Sequence, residues 1–258
     1  MTKAILVVSF GTTYPESREK TIGAVEKRIA DNFKDAKVFR AFTSKIVISR
    51  ISKNEGIQID NPEAAVKRII DLGFDELMVQ PLHLLSGIEY KSLQEVIDQN
   101  RPNFKNVIVG KPLLSDFSDY ESVINFIHGL QAKDDPKSLV LMGHGTSDSQ
   151  FSAYACLDHM LLNTKTFMAA VESYPDIDGV IQRIIDQNIS DVVLQPFMIV
   201  AGNHAHEDMI GESPDSWQSK FKANGINVDF NLTGLGEYPE IQQMFVNHLV
   251  NAMEENNG

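Results

Sequence analysis

The sequence predicts an α/β protein built from two homologous halves, each a doubly wound parallel sheet, that face a central cleft. The first observation is that apolar, β-branched runs alternate with helical segments along all 258 residues. The second is an internal repeat. Residues 76–90, ELMVQPLHLLSGIEY, match 191–205, DVVLQPFMIVAGNHA, and 5–13, ILVVSFGTT, match 139–147, LVLMGHGTS. Two matches in the same order, each a strand followed by a glycine turn, indicate a duplicated domain.

The repeat also predicts the domain boundary. We expect an N-terminal half over 1–130 and a C-terminal half over 131–258. The polar segment QAKDDPKS, residues 131–138, is the best candidate for the link between them. A hydrophobic content of 43% is enough for a substantial core.

Local signals place the elements of the first half. Pro15 suits the first turn of a helix whose positive end Glu16 and Glu19 complement. Pro62 begins another helix, which Gly73 ends. The predicted strands are 3–10, 36–41, 76–82 and 106–109. The predicted helices are 15–33, 43–53, 62–73, 89–100 and 116–130.

The second half repeats this order. Residues 192–200 are apolar and rich in β-branched side chains, as expected of a strand buried on both faces of a parallel sheet. The other predicted strands are 139–142, a strand ending at Glu172, and 226–231. The predicted helices are 149–162, 178–188, 207–223 and one that begins at Pro239.

The charge is distributed unevenly between the halves. Residues 1–128 carry 17 basic and 17 acidic side chains, whereas 129–258 carry 6 and 18, so the net charge of −12 belongs to the second half. A basic stretch, 34–53, contains Arg40 and Lys45 among six cations. It is interpreted either as a solvated helix face or as a surface for an anionic ligand.

Composition argues against several classes of protein. Nucleic acid is not an expected partner, because the basic stretch is short and the chain is acidic. No apolar run reaches the length of a membrane span, and the first residues lead straight into a strand without a signal-peptide pattern, so a cytoplasmic location is expected. Cys156 is the only cysteine, which rules out an internal disulfide, and we expect it to be a small buried residue.

Candidate metal ligands follow three predicted strands of the second half. His144 stands between two glycines, Glu172 lies in AAVESYP, and His204 lies in AGNHAHED. The carboxyl ends of parallel strands meet at one edge of a sheet, where open α/β folds bind ligands. Two imidazoles and a carboxylate suit a borderline divalent ion such as Co²⁺, Ni²⁺, Fe²⁺ or Zn²⁺. The alternative interpretation is that His204 is a solvated residue at a helix start and that Glu172 is a cap or an ion-pair partner.

His83 is a further histidine whose position the repeat informs. It aligns with Met198 in the internal repeat and is interpreted as a core residue or as one that supports the site.

Nine motifs together carry a family resemblance. They are VVSFGTTY, FRAFTS, HLLSGIEY, MGHGT, AYACLDHM, AVESYP, VAGNHA, DSW and GLGE. This ordered set covers almost the whole chain and resembles the anaerobic sirohydrochlorin cobaltochelatases of the CbiK type, class II chelatases related to ferrochelatase. The resemblance implies a chelatase-like fold and the ATP-independent insertion of Co²⁺ into sirohydrochlorin or precorrin-2 during cobalamin biosynthesis.

The resemblance also implies roles for particular residues. His144, Glu172 and His204 correspond to the family's metal ligands, and Glu89 of SGIEY to its other active-site acid. His144 and His204 would also serve as bases for the pyrrole protons. His206 departs from the family pattern and is given no role.

The remaining assignments follow from the repeat and the charge. Phe10 aligns with His144, so we expect Phe10 to pack on the macrocycle or to shape its pocket. Thr12, Arg40 and Lys45 are expected to hold its carboxylates.

No prosthetic group is expected. Co²⁺ is the substrate metal, with Ni²⁺, Fe²⁺ and Zn²⁺ left open, and the expected partners are a small tetrapyrrole and a divalent metal. A homo-oligomer is left open. The alternative functions are a chelatase for Fe²⁺ or Ni²⁺ on the same macrocycle and a carrier that binds tetrapyrrole or metal without turnover.

Overall fold

The structure, a computed structural model, describes residues 2–132 and 135–257. It forms two four-stranded parallel sheets with the strand orders β2-β1-β3-β4 and β6-β5-β7-β8. The strands are β1 Lys3–Ser9, β2 Ala36–Phe42, β3 Glu76–Pro81, β4 Asn106–Val109, β5 Ser138–Gly143, β6 Thr166–Ala170, β7 Asp191–Pro196 and β8 Asn227–Phe230. All eight predicted strands and the α/β class are confirmed.

Helices connect the strands and cover the sheets. They are α1 Pro15–Arg18, α2 Ala24–Asn32, α3 Lys45–Glu55, α4 Pro62–Asp71, α5 Ile88–Asn100, α6 Phe117–His128, α7 Ser152–Met160, α8 Ile177–Asp186, α9 Trp217–Ala223 and α10 Pro239–Asn257. A π-helical turn, Glu19–Gly23, joins α1 to α2, so the helix predicted over 15–33 is one run with a local irregularity. Within the described residues, none of the helices combines the length and apolar composition that a bilayer crossing requires.

The chain divides into two compact units. The first unit comprises Met1–Ser115 and Gly236–Gly258, and the second comprises Asp116–Leu235. They differ from the predicted halves, 1–130 and 131–258, in two helices. The physical reason is packing: α10 lies against α2, β3 and β4 of the first unit, whereas α6 lies against α7 of the second. Part of the predicted link, residues 133–134, lies outside the described residues.

Each unit has a core on its sheet. In the first unit, Ala4, Leu6 and Val8 of β1 pack with apolar side chains of α4 and α5. In the second unit, Val140 and Met142 of β5 pack in the same way with α8 and with the segment after β7. Alternate residues of β1 and β5 face the other side of each sheet and are also buried, as expected of central parallel strands.

Matching backbone contacts confirm the duplication. Gly11 and Gly145 follow β1 and β5 with φ of 93° and 91°, a left-handed conformation that favours glycine. The amide of Ser44 donates to the carbonyl of Phe10 at 3.3 Å, and the amide of Glu172 donates to that of His144 at 3.0 Å. Phe10 and Ser44 therefore occupy the positions in the first unit that His144 and Glu172 occupy in the second.

Two local expectations are wrong. The helix predicted over 207–223 is instead a short π-helical turn, Ala205–Met209, and a separate α9, because Gly211 and Pro214 lie between them. Cys156 is exposed, since the buried face of α7 is formed by Ala153, Tyr154 and Leu157.

Candidate metal centre

His144 is positioned by a tight turn at the end of β5. Strand β5 ends at Gly143, and Gly145 then turns the chain with a positive φ of 91°. A Cβ atom on Gly145 would lie 2.9 Å from the backbone nitrogen of Glu172 and 2.8 Å from Ser173 Oγ. Only glycine allows the two loops to approach this closely.

Glu172 reaches the same place from the neighbouring strand. Beyond the last residue of β6, the amides of Val171 and Glu172 donate to the carbonyls of Gly143 and His144, each at 3.0 Å. The amide of Thr146 donates to Ser173 Oγ at 3.3 Å. These bonds extend the parallel pairing past both strands and so hold the carboxylate beside the imidazole.

Tyr154 supports the turn from beneath. Its ring lies so close to Gly143 that a Cβ there would be 2.4 Å from Tyr154 Cε1. Burial raises the pKa of the Tyr154 phenol to about 12, although its hydrogen bonds to the backbone of Gly145 and His144 oppose that shift. Tyr154 was not predicted as a site residue, although it lies in the motif AYACLDHM, which is the sequence signal that could have identified it.

His204 comes from a helical turn and not from a strand end, which corrects the prediction. Strand β7 ends at Pro196, and His204 follows a further loop as the residue preceding the π-helical turn Ala205–Met209. Its Nδ1 lies 2.7 Å from Oδ2 of Asp208. The strand predicted over 192–200 is shorter because it ends at Pro196 and the backbone bends at residues 198–200.

The three predicted ligands meet. Each of His144, Glu172 and His204 offers a ligand atom within 4.8 Å of the other two. His144 Nδ1 lies 3.8 Å from Glu172 Oε2, and the two imidazole rings lie edge to face with centroids 4.5 Å apart. Among residues 2–132 and 135–257, this is the one such group of three or more His, Cys, Asp or Glu side chains.

The exposure, number and type of donor atoms in this group suit a divalent cation that can be bound and released. The exposed side-chain fractions are 40% for His144, 53% for Glu172 and 30% for His204, so all three can reach an ion from solvent. Three protein ligands leave coordination positions open, unlike the closed four-ligand cage of a structural site. Nitrogen and oxygen donors suit a borderline divalent ion.

The remaining predicted site residues lie in the first unit. Phe10, directly after β1, is 49% exposed, which leaves an aromatic face available to a ligand. Thr12 is buried, and its Oγ1 accepts a hydrogen bond from the amide of Tyr14 at 3.3 Å. Glu89 is exposed in the first turn of α5.

The two predicted cations differ in their surroundings. Arg40 forms a bidentate pair with Glu26 of α2, at 2.7 and 2.5 Å, and a longer contact with Glu19. Lys45 is the exposed first residue of α3. Arg40 therefore has a structural partner that the sequence reasoning missed, because Glu26 lies on another element.

A doubly wound α/β unit that brings two imidazoles and a carboxylate within 4.8 Å of one another is the arrangement expected of the chelatase class. The family model "Cobalt chelatase (CbiK)" matches residues 3–254. The chain belongs to the cobalt chelatase (CbiK) family.

Two curated relatives agree. The chain is 40% identical over 256 residues to the sirohydrochlorin cobaltochelatase of Salmonella typhimurium, which covers 98% of this chain and 97% of the relative. It is 28% identical over 257 residues to the sirohydrochlorin cobaltochelatase CbiKC of Nitratidesulfovibrio vulgaris. This match covers 97% of this chain and 90% of the relative.

A solved structure supports the fold. SirB from Bacillus subtilis matches with a TM-score of 0.68 at 18% sequence identity. The match covers 100% of this chain and 98% of the SirB chain.

Proposed function

We propose that the protein inserts Co²⁺ into sirohydrochlorin, or into precorrin-2, without ATP, as a step in anaerobic cobalamin biosynthesis. The observation that carries the proposal is the group of His144, Glu172 and His204 in a chain 40% identical throughout to a sirohydrochlorin cobaltochelatase. Cobalt is a substrate here and leaves in the product, so it is not a prosthetic group of the protein.

The reaction exchanges two pyrrole protons for one metal ion. Co²⁺ binds His144, Glu172 and His204, and its open positions accept pyrrole nitrogens as the protein ligands are released. Two protons must leave the macrocycle, and neutral imidazole is a suitable acceptor near neutral pH. We propose that His144 and His204 accept these protons after they release the ion. Glu89 is a further proposed proton acceptor.

Substrate binding would draw on the first unit. Sirohydrochlorin carries several carboxylates, and the exposed Lys45 at the start of α3 offers a cation next to the positive end of a helix. Phe10 would supply an aromatic face for the macrocycle. Arg40 would act less directly, because its guanidinium is held by Glu26. Affinity for the tetrapyrrole should therefore fall with salt.

A turnover assay tests the proposal. Catalytic amounts of protein are incubated anaerobically with excess Co²⁺ and sirohydrochlorin, and the product is followed by its absorption spectrum. Conversion of many equivalents per protein supports a chelatase, whereas one equivalent bound and held would mean a carrier. Parallel reactions with Fe²⁺ and Ni²⁺, alone and in competition, test the metal, because the ligand types do not separate these ions. Faster insertion of Fe²⁺ or Ni²⁺ would overturn the cobalt assignment.

A further inference from the structure

The carboxylate of Asp208 contacts one of the two imidazoles of the metal centre. Asp208 Oδ2 lies 2.7 Å from His204 Nδ1, and the two residues are four apart on the same helical turn. A carboxylate accepts hydrogen bonds only, so the contact requires the imidazole proton to be on Nδ1. In the neutral imidazole, the lone pair of His204 is then on Nε2.

We propose that Asp208 is a positioning residue that selects the tautomer of His204 and orients its Nε2 toward the metal ion. The inference rests on the metal site of the proposed function. A carboxylate behind a ligating imidazole fixes the ring and makes the ligand nitrogen more basic. Asp208 is assigned no contact with the ion itself, because it is not in the group of ligand atoms that lie within 4.8 Å of one another.

The second imidazole has a weaker partner of the same kind. His144 Nδ1 lies 3.1 Å from the carbonyl oxygen of Gly145, a neutral acceptor. Each Nδ1 thus lies beside an acceptor oxygen, but the acceptor of His204 is a charged carboxylate at the shorter distance. Charge-assisted hydrogen bonds are about twice as strong as neutral ones. His204 is therefore the ligand whose strength depends on one replaceable side chain.

Glu207 provides a matched control. It is the neighbouring acid on the same turn, it is exposed, and its removal changes the local charge by the same amount. We expect Asp208→Ala to weaken Co²⁺ binding by about 10- to 100-fold, the range typical for losing such a partner. Glu207→Ala should change Co²⁺ affinity far less. Asp208→Asn keeps an acceptor oxygen without the charge, so its affinity should fall between those of wild type and Asp208→Ala.

The test uses the full chain with Co²⁺ alone, so that no tetrapyrrole is involved. Co²⁺ is titrated into wild type, Asp208→Ala, Asp208→Asn, Glu207→Ala and His204→Ala, and binding is followed by the visible ligand-field absorption. Long-range ¹H–¹⁵N NMR spectra of the metal-free proteins report which ring nitrogen of His204 carries the proton. We expect an Nδ1 proton in wild type and in Glu207→Ala, and a mixture of tautomers in Asp208→Ala.

The outcomes separate this inference from the proposed function. Undiminished Co²⁺ binding in His204→Ala would overturn the metal site itself. Loss of binding in His204→Ala with wild-type affinity in Asp208→Ala would overturn only the role of Asp208. Equal losses in Asp208→Ala and Glu207→Ala would show a general charge effect and would also overturn it. Because the side chain of Asp208 is 43% exposed, thermal melts should show folded protein for all variants. The Asp208→Asn variant provides a second, more conservative test if Asp208→Ala does not fold.

Discussion

The three candidate metal ligands are partly exposed side chains outside the strands, so we expect them to contribute little to folding. We expect His144→Ala and His204→Ala each to abolish most Co²⁺ insertion and to leave the melting temperature nearly unchanged, because neither side chain belongs to the core. Glu172→Gln should weaken Co²⁺ binding more than tetrapyrrole binding. His128→Ala, at an exposed histidine of α6, is the control. Full activity in either ligand variant would refute the site.

His83 behaves differently, because both of its ring nitrogens are buried and have no hydrogen-bond partner among residues 2–132 and 135–257. The residue as a whole keeps some exposed surface, but burial of the ring lowers the pKa of His83 to about 4. In the unfolded chain it would titrate near 6.5. As pH falls from 6.5 to 4, the unfolded state gains a proton that the folded state does not, so stability decreases.

His83→Met, which introduces the residue found at the equivalent Met198, should remove this pH dependence. The difference in the free energy of unfolding between wild type and variant should shift by up to about 3 kcal/mol in favour of the variant between pH 6.5 and pH 4. Urea denaturation at several pH values measures it. If the free energies of unfolding of the two proteins instead change in parallel with pH, the pKa of His83 is not lowered in the folded protein.

At the scale of elements, the site depends on how two loops approach each other. Gly145 combines a φ of 91° with close contact to the backbone of Glu172. Gly225 has a φ of 75°, but a Cβ there would meet none of the described atoms within 4 Å. The two glycines therefore separate the cost of backbone strain from the cost of displacing the neighbouring loop.

Gly145→Ala should both destabilise the protein and reduce Co²⁺ affinity, because the loop that carries Glu172 must move. Gly225→Ala should cost about 1 kcal/mol of stability through backbone strain and leave Co²⁺ affinity unchanged. Thermal melts and Co²⁺ titrations on both variants provide the comparison. Unchanged Co²⁺ affinity in a folded Gly145→Ala protein would show that the spacing of the loops does not set the site.

At the scale of the whole molecule, the fold is duplicated but the ligand set is not. The positions equivalent to His144 and Glu172 hold Phe10 and Ser44, and the repeat places Glu89 over His204. An aromatic ring, a hydroxyl and one carboxylate are a poor set for a transition-metal ion. The second unit also carries the acidic excess, 18 acids against 6 basic residues over 129–258.

We therefore expect one Co²⁺ to bind per chain, with affinity lost in His144→Ala and kept in Glu89→Gln. Equilibrium dialysis with excess Co²⁺ gives the stoichiometry. Two tight equivalents, or one that survives in His144→Ala, would place an ion elsewhere.

The same duplication suggests a division of roles for Glu89. Glu89→Gln keeps the shape of the side chain but removes the base, so it should lower kcat well over tenfold with little change in affinity for Co²⁺ or sirohydrochlorin. Steady-state kinetics separate the two effects. A raised KM with unchanged kcat would make Glu89 a binding residue.

The sequence by itself determined the fold class, the existence of all eight strands, the duplication and the three side chains whose ligand atoms lie within 4.8 Å of one another. These features depend on local signals. The apolar period predicts a strand, a glycine between a strand and a helix predicts a turn, and residues after neighbouring parallel strands converge at one edge of the sheet.

Only the tertiary structure decided which surface each segment covers. Helices α6 and α10 belong to units other than the predicted ones, His204 lies on a helical turn, Arg40 pairs with Glu26, and Tyr154 supports the turn of His144. The helices, Arg40 and Tyr154 each contact a partner on another element. The position of His204 depends on where strand β7 ends. The physical reason is that amphipathic periodicity shows that a face will be buried, but the shape and polarity of distant residues determine what buries it.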